Sequence, residues 1–290
     1  MKKYLYFPGC SLKGSGKAYE ESFLAVCKAL GMDIRELEDW NCCGATAYMS
    51  VEETKSYALA GRNLAIAERE DLDVIAPCSA CYLVLNKTQK ALKENTEIRR
   101  KVVNALKAGG LDYKGTVKVR HPLDVLINDV GLEKISKLIK NPVKGLKLAP
   151  YYGCQIVRPY ATFDDQHDPV TMDKLMKAAG AECVTWPLKT RCCGGSLTGT
   201  VPEVGLRLAY IILKEAKKRG AGAIVTLCPL CQFNLDGYQG KIASKYESVD
   251  MPVLYFTQVL GLAMGLPGSE LGIKRGIISA EAVLAGGGLR

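Results

Sequence analysis

Ten of the twelve cysteines of this chain fall into one pattern that is written twice. Each copy has a single cysteine, then a tandem Cys-Cys-Gly, and then, after 33 further residues, a Cys-x-x-Cys pair. The first set is Cys10, Cys42, Cys43, Cys78 and Cys81. The second set is Cys154, Cys192, Cys193, Cys228 and Cys231. Clustered thiols are typical of metal binding or redox chemistry, so the doubled pattern predicts two sites of the same kind.

The donor types narrow the chemistry of these sites. Histidine is scarce, with only His121 and His167 in 290 residues, which favours all-thiolate ligation over zinc sites of mixed Cys/His type. Five thiolates exceed the four that a cubane cluster or a structural zinc requires. The surplus indicates either an unusual cluster with a bridging thiolate or one cysteine left free for chemistry, and the sequence leaves both open.

The elements that must position these cysteines also recur in the two halves. Short apolar strands are predicted to run into the single cysteines at residues 4–7 and 147–152, and into the Cys-x-x-Cys pairs at 72–76 and 223–227. Amphipathic helices separate them, and a last strand and helix close each half. This order predicts an α/β fold of two pseudo-twofold-related units, each a small parallel sheet flanked by helices. The domains are expected at residues 1–142 and 143–290, the second with a Gly-rich C-terminal tail.

The predicted topology brings each cysteine set to one place. Residues just past the carboxyl ends of parallel strands meet at one rim, so five thiols of each half are expected to converge there. Helix N-termini at that rim would offset the negative charge of thiolates. Gly44 and Gly194 permit the tight backbone that lets two adjacent cysteines face one cavity.

Two local expectations follow from the segments around these motifs. The helices after the tandem pairs are predicted to open with capping boxes, Ser50 with Glu53 and Thr200 with Glu203. The tail after Leu266 is predicted to pack on a partner or to fray.

Composition excludes several classes of function. The net charge of +9 is distributed over the chain and aromatics do not interleave with the basic runs, which argues against nucleic acid. The basic stretches at 87–107 and 134–147 are either a solvated face or a means of steering an anionic substrate or acidic partner. No run of about 18 apolar residues indicates a membrane span, and the N-terminal apolar run is too short for export, so a cytoplasmic protein is expected.

Nucleotide cofactors are not expected on this chain. The segment Gly14-Ser15-Gly16-Lys17 lacks both the first glycine and the hydroxyl of a phosphate loop, because Ser11 and Ala18 stand there. No GxGxxG follows a predicted strand, so flavin or nicotinamide would sit on a separate polypeptide.

The doubled cysteine pattern resembles the CCG (cysteine-rich) domain family, and its complete form in both halves is similar to the B-type subunit of heterodisulfide reductases. The resemblance spans about residues 3–266, and neither half departs from the motif. It implies that Cys10, Cys42, Cys43, Cys78 and Cys81 ligate one noncubane 4Fe-4S cluster. It likewise implies that Cys154, Cys192, Cys193, Cys228 and Cys231 ligate a second, and that these ten cysteines form the catalytic site.

The same resemblance implies a reaction and its partners. A disulfide such as CoM-S-S-CoB, or a related substrate, would be reduced or formed between the two clusters. Electrons would arrive from the ferredoxin-like iron–sulfur subunit of a heterodisulfide reductase (the C-type subunit), and before it from the flavin-bearing one (the A-type subunit).

Other interpretations remain beside this one. The chain could be an electron-transfer CCG subunit of a lactate, glycolate or glycerol-phosphate oxidase complex, or a non-enzymatic scaffold stabilised by zinc. Each Cys-x-x-Cys alone would also suit a thioredoxin-like redox pair.

Cys27 and Cys183, which lie outside the doubled pattern, are predicted to be buried core residues. His121 is a candidate proton donor or anion contact with a structural role equally open, and His167 is a loop residue that could reach the second site.

Overall fold

A computed structural model describes residues 2–45 and 47–288 and contains two four-stranded parallel sheets. The first has the order β2-β1-β3-β4 and the second the order β6-β5-β7-β8, so the strand order is the same in both halves. The strands of the first sheet are β1 Lys3–Tyr6, β2 Asp33–Glu36, β3 Val74–Ile75 and β4 Val119–Arg120. Those of the second sheet are β5 Lys147–Tyr151, β6 Glu182–Cys183, β7 Ala223–Thr226 and β8 Val253–Tyr255.

Helices flank both sheets. The helices of the first half are α1 Gly9–Leu12, α2 Lys17–Ala29, α3 Ala47–Val51, α4 Glu53–Glu68, α5 Ser79–Glu94, α6 Thr96–Ala108, α7 Pro122–Val125, a π-helical turn Leu126–Val130 and α8 Leu132–Lys137. The helices of the second half are α9 Thr171–Ala178, α10 Pro202–Lys218, α11 Pro229–Gly237, α12 Gln239–Lys245, α13 Phe256–Ala263, a 3-10 turn Ile273–Arg275 and α14 Glu281–Gly286. The predicted α/β class with two repeated units is confirmed.

The strands are short and deeply buried, as expected for parallel sheets that are covered on both faces. All four residues of β7 are buried, and so are three of the four residues of β1. The predicted strand at 72–76 is shorter in the structure, since only Val74 and Ile75 pair with a neighbour.

The two halves pack directly against each other. The ring of Tyr19 on α2 stacks on Tyr255 of the second sheet, with centroids 4.5 Å apart. On the same helix the Ser22 hydroxyl lies 2.6 Å from the hydroxyl of Thr257 on α13. These contacts are buried, and the two sheets therefore share one hydrophobic core. The predicted domain boundary at 142 and 143 falls between the sheets and stays a prediction.

The expectation that the C-terminal tail frays is wrong over its described part, and the alternative, that the tail packs on a partner, stays a prediction. Leu271 and Leu284 are buried in the core of this chain. Arg275 forms a two-point ion pair with Glu21 on α2, and the Asp236 carboxylate accepts two backbone N–H groups of the tail. The tail is held by its own chain because its apolar residues pack into the core, which its glycine content alone does not reveal.

Both predicted capping boxes are also wrong. Ser50 lies inside α3, and α4 begins after Glu52, which makes no side-chain cap. In the second half α10 begins at Pro202, and the Thr200 hydroxyl donates instead to the carbonyl of Leu197, 3.3 Å away. Proline suits the first helical position because it lacks the N–H that would be unsatisfied there.

Among the described residues, no helix is both long and apolar enough to cross a membrane.

The turn after each tandem cysteine pair depends on its glycine. Gly44 and Gly194 have φ angles of +76° and +80°, a region that strongly favours glycine. The carbonyl of Gly44 accepts the Ser56 hydroxyl at 3.1 Å, and that of Gly194 accepts the Thr198 hydroxyl at 3.0 Å. A Cβ atom on Gly194 would lie 2.9 Å from the Cα of Gly205 on α10. The following helix therefore packs closely against this turn.

We expect Gly194→Ala to destabilise the protein more than Gly220→Ala. Gly220 also has a positive φ, +77°, but no atom lies within 4 Å of the Cβ that alanine would add. The Gly220→Ala variant therefore measures only the free-energy cost of a positive φ at a residue with a Cβ. That cost is about 1–2 kcal/mol, and overpacking at Gly194 adds about 1–3 kcal/mol. Urea unfolding followed by circular dichroism measures both free energies of unfolding. Equal losses in the two variants would show that α10 does not constrain the turn.

Candidate cysteine-cluster sites

Every cysteine of the two sets lies in a segment that follows the carboxyl end of a strand. Cys10 is in α1, directly after β1. Cys78 and Cys228 are the N-cap residues of α5 and α11, which places Cys81 and Cys231 in the first turn of those helices. The tandem pairs lie in the loops that follow β2 and β6. The predicted convergence at the strand ends is confirmed.

The first set contains a close thiol contact. The sulfur atoms of Cys43 and Cys81 are 3.3 Å apart, and both residues are buried. Cys10 and Cys42 are exposed. A Cβ on Gly9 would lie 2.9 Å from the Cys81 sulfur, so this glycine leaves the room that the thiol occupies. The set is therefore buried on the side of Cys81 and open on the side of Cys10.

The second set surrounds a single cavity of about 50 Å³. The cysteines that line it are Cys154, Cys192, Cys193, Cys228 and Cys231. The sulfur atoms of Cys193 and Cys231 are 3.6 Å apart, and the backbone N–H of Gly194 donates to the Cys192 sulfur at 3.3 Å. All five cysteines of the second set thus border a common space.

Hydrogen bonds between thiols separate their pKa values within each set. Bonds from Cys42 and Cys81 lower the pKa of Cys43 to about 4, and a bond from Cys154 lowers the pKa of Cys192 to about 6. The pKa of a donating thiol shifts in the opposite direction, since the bond to Cys43 raises the pKa of Cys42 above its usual range. At least one thiolate in each set is therefore stabilised by its neighbours at neutral pH.

The two sets also lie next to each other, which the sequence pattern does not show. Ser79, the neighbour of Cys78 in the first half, lines the cavity of the second set. The proximity of Cys228 raises the pKa of Cys78, and the thiols of Cys231 and Cys78 lower the pKa of Cys228. The two Cys-x-x-Cys pairs consequently meet at the interface of the halves, with Cys78 and Cys228 both buried.

His121 lies beside this junction with both ring nitrogens in hydrogen bonds. Its Nε2 is 3.0 Å from the carbonyl oxygen of Pro77, and its Nδ1 accepts the backbone N–H of Leu123 at 3.2 Å. Burial lowers the pKa of His121 to about 4, so the ring is neutral. These contacts support a structural role for His121 over a role as proton donor or anion contact.

The remaining candidates lie outside the two sets. His167 is exposed in a loop, where its backbone N–H donates to the Asp165 carboxylate. Cys27 is buried on α2 as predicted, and burial raises its pKa. Cys183 is only partly buried, contrary to the prediction, because it ends an edge strand of the second sheet.

Sequence reasoning missed the hydroxyl groups at the junction. Within the described residues, Tyr19 Oη, Ser79 Oγ and Thr226 Oγ1 are buried without a hydrogen-bond partner. Ser79, from the first half, lines the cavity of the second cysteine set. The sequence does contain one signal for this placement, because Ser79 lies inside the Cys78-x-x-Cys81 motif.

The donor chemistry fits an iron–sulfur group. Each set offers only thiols, and the second set places five of them and an unpartnered hydroxyl around one cavity. Thiolates are the usual protein ligands of iron–sulfur clusters, and hydrogen-bond donors to their sulfur atoms are a common part of such sites. No three Cys, His, Asp or Glu side chains in residues 2–45 and 47–288 are placed to hold a single metal ion.

Comparison with known proteins gives consistent matches for both halves. Residues 4–86 and 148–236 match the family described as "Cysteine-rich domain" (CCG). The chain is 31% identical to the B-type subunit of the ferredoxin:CoB-CoM heterodisulfide reductase of Methanosarcina mazei, over 98% of this chain and 97% of that protein. It is 34% identical to a protein of Archaeoglobus profundus that is described as similar to the same heterodisulfide reductase subunit, over 91% of each chain.

A third relative has a different role in its name. The "8-methylmenaquinol:fumarate reductase membrane anchor subunit" of Wolinella succinogenes is 34% identical over 96% of this chain and 98% of that protein. Among solved structures, a hypothetical protein from Helicobacter pylori superimposes with a TM-score of 0.75 at 15% identity, which supports the fold. That match covers 96% of this chain and 52% of the Helicobacter chain.

The family match covers more than half of the chain, and the relatives align over nearly all of it. The relatives from Wolinella and Methanosarcina are named as parts of reductases. The chain therefore belongs to the cysteine-rich (CCG) domain family and is a homologue of the B-type subunit of heterodisulfide reductases.

Proposed function

We propose that this chain is the catalytic iron–sulfur subunit of a heterodisulfide-reductase-like complex. Each five-cysteine set would hold one noncubane 4Fe-4S cluster, and a disulfide would be reduced, or formed, between them. The observation that supports this most strongly is that Ser79, next to Cys78 of the first set, lines the cavity of the second set, because this brings two complete cysteine sets to one junction. The names of the relatives from Methanosarcina mazei and Archaeoglobus profundus agree with this proposal.

The reaction requires two electrons at adjacent places. Reducing a disulfide breaks one sulfur–sulfur bond and yields two thiols, for which two electrons and two protons are taken up. The clusters would supply these electrons one at a time. The chain contributes the junction itself, where the N-termini of α5 and α11 lie beside Cys78 and Cys228. Their backbone N–H groups stabilise negative charge on sulfur.

A second candidate is an electron-transfer subunit that turns over no disulfide. It is favoured by the relative from Wolinella succinogenes, whose name places it in a quinol:fumarate reductase. The oxidase complexes considered from the sequence belong to this same class of function. In that case the two sites would only relay electrons to the next protein of the complex.

Metal content tests the proposed cofactors. Protein purified without oxygen should contain about eight irons and a similar amount of acid-labile sulfide per chain, as two four-iron clusters require. Cys43→Ser and Cys193→Ser should each retain about four irons, since each removes a buried thiol of one set only. Cys183→Ala, outside both sets, should keep the full content. One zinc per site with no sulfide would contradict the proposal.

Disulfide turnover separates the two candidate functions. With reduced methyl viologen as electron donor, the loaded protein should reduce CoM-S-S-CoB or a related disulfide, and the thiols formed can be counted. Either Cys43→Ser or Cys193→Ser should abolish this turnover, because one remaining cluster delivers a single electron. Two intact clusters that are reduced by viologen but release no thiol from any disulfide offered would favour the electron-transfer role.

A basic groove on the first half supports an acidic electron-donating partner. The groove has a volume of about 1170 Å³ and runs between α5 and the segment 113–120. Three of its lysines, Lys93, Lys114 and Lys118, are exposed and have no ion-pair partner among the described residues. Its wall includes Tyr82, the residue after Cys81. A ferredoxin-like partner of the C type that docked here would be adjacent to the first site.

Replacing Lys93, Lys114 and Lys118 together by glutamine should slow reduction of the protein by a reduced, acidic ferredoxin. The second-order rate constant at low salt should fall roughly tenfold, since electrostatic steering by the groove is lost. A variant with Lys28, Lys144 and Lys174 changed to glutamine has the same net charge and serves as the control. Stopped-flow absorbance measures both, and reduction by methyl viologen should be unaffected. Equal slowing in the two variants would show a net-charge effect without a docking groove.

A further inference from the structure

One residue of the first half contributes to the site of the second. Ser79 follows Cys78 and begins α5, yet it lines the cavity formed by the second cysteine set. The residue is 1% exposed, and its hydroxyl has no hydrogen-bond partner among the described residues. A buried hydroxyl without a partner is costly to fold, and most buried hydroxyls in proteins are bonded to a protein group or an ordered water, so one that lacks a protein partner points to a group bound beside it.

The backbone around Ser79 adds to this donor. α5 has 16 residues, and its N-terminus lies at the same junction because Cys78 is its N-cap. The Cys78 N-cap makes no side-chain bond to the helix. A long helix with a free first turn favours negative charge at its N-terminus. The Ser79 hydroxyl and this helix end together form a donor group beside the thiols of the other half.

The second half has no hydroxyl that matches Ser79. The residue that corresponds to Ser79 in the second Cys-x-x-Cys is Pro229, which has neither a side-chain hydroxyl nor a backbone N–H. Pro229 also begins its helix, α11, in the same place that Ser79 begins α5. The pseudo-twofold relation is thus broken at the junction.

We propose that the Ser79 hydroxyl donates a hydrogen bond, across the interface of the halves, to the sulfur-bearing group held by the second cysteine set. Because Pro229 gives the first set no such bond, the second site has the higher reduction potential of the two. This inference rests on the proposed iron–sulfur function. A donor to sulfur stabilises the reduced, more negative state, which is how hydrogen bonds raise the potential of such clusters.

The difference gives the electron path a direction. If the acidic partner docks at the basic groove, whose wall includes Tyr82, electrons enter at the first site, and its lower potential favours their transfer to the second. The second site is then the one that holds the electron longer before the disulfide takes it up.

The test is an anaerobic redox titration followed by electron paramagnetic resonance. In Ser79→Ala, one of the two clusters should lose about tenfold in its reduction equilibrium constant, equivalent to about 59 mV for one electron. The other cluster should be unchanged. Ser79→Thr keeps the hydroxyl and should restore the wild-type potential. In a Cys193→Ser background, where the second cluster is removed, Ser79→Ala should have no effect on the remaining one.

The control is Thr88→Val, which removes a buried hydroxyl of the same helix, α5, that already donates to the Val84 carbonyl at 2.8 Å. It should leave both potentials unchanged. Full iron content with unaltered potentials in Ser79→Ala would overturn the inference and leave the proposed function standing. A protein that binds no iron would overturn both, and iron analysis of each variant tells these results apart.

Discussion

The structure depends on one constraint, that the carboxyl-end rims of two parallel sheets face each other closely enough to bring Cys78 and Cys228, and with them the two cysteine sets, to one junction. Each cysteine is an N-cap, so its position is fixed by where a strand ends and a helix begins. The stacking of Tyr19 on Tyr255 holds the two halves together. Movement of one half relative to the other would therefore separate the two cysteine sets.

Gathering ten thiols at one interface has an electrostatic consequence. Several thiolates in a buried site repel one another, and burial alone would raise the pKa of each. The hydrogen bonds concentrate the negative charge on particular sulfur atoms, since the pKa of Cys43 falls to about 4 while that of its donor Cys42 rises. Such a set suits a cationic, multi-iron group, because the positive charge of that group would neutralise thiolates that would otherwise repel one another.

The sequence predicts the repeated α/β units and the convergence of the cysteines because both follow from short-range rules: strand, turn and helix signals at matching places in each half. It does not predict the helix starts, because a short helix or turn before α4 and α10 displaces the caps expected at Ser50 and Thr200. Nor does it predict the packed tail or the cavity position of Ser79. Both depend on contacts between segments far apart in the chain, for which a single sequence contains no periodic signal.

A duplicated fold would give two equal sites, and the departures from symmetry are therefore informative. At the turn after the tandem cysteines, the residue of the next helix that packs against the glycine is Ser56 in the first half and Gly205 in the second. At the start of the Cys-x-x-Cys helix the pair is Ser79 and Pro229. The basic groove also lies along the first half. Since two identical centres would give an electron no preferred direction between them, these differences are what the proposed electron path, into one site and out of the other, requires.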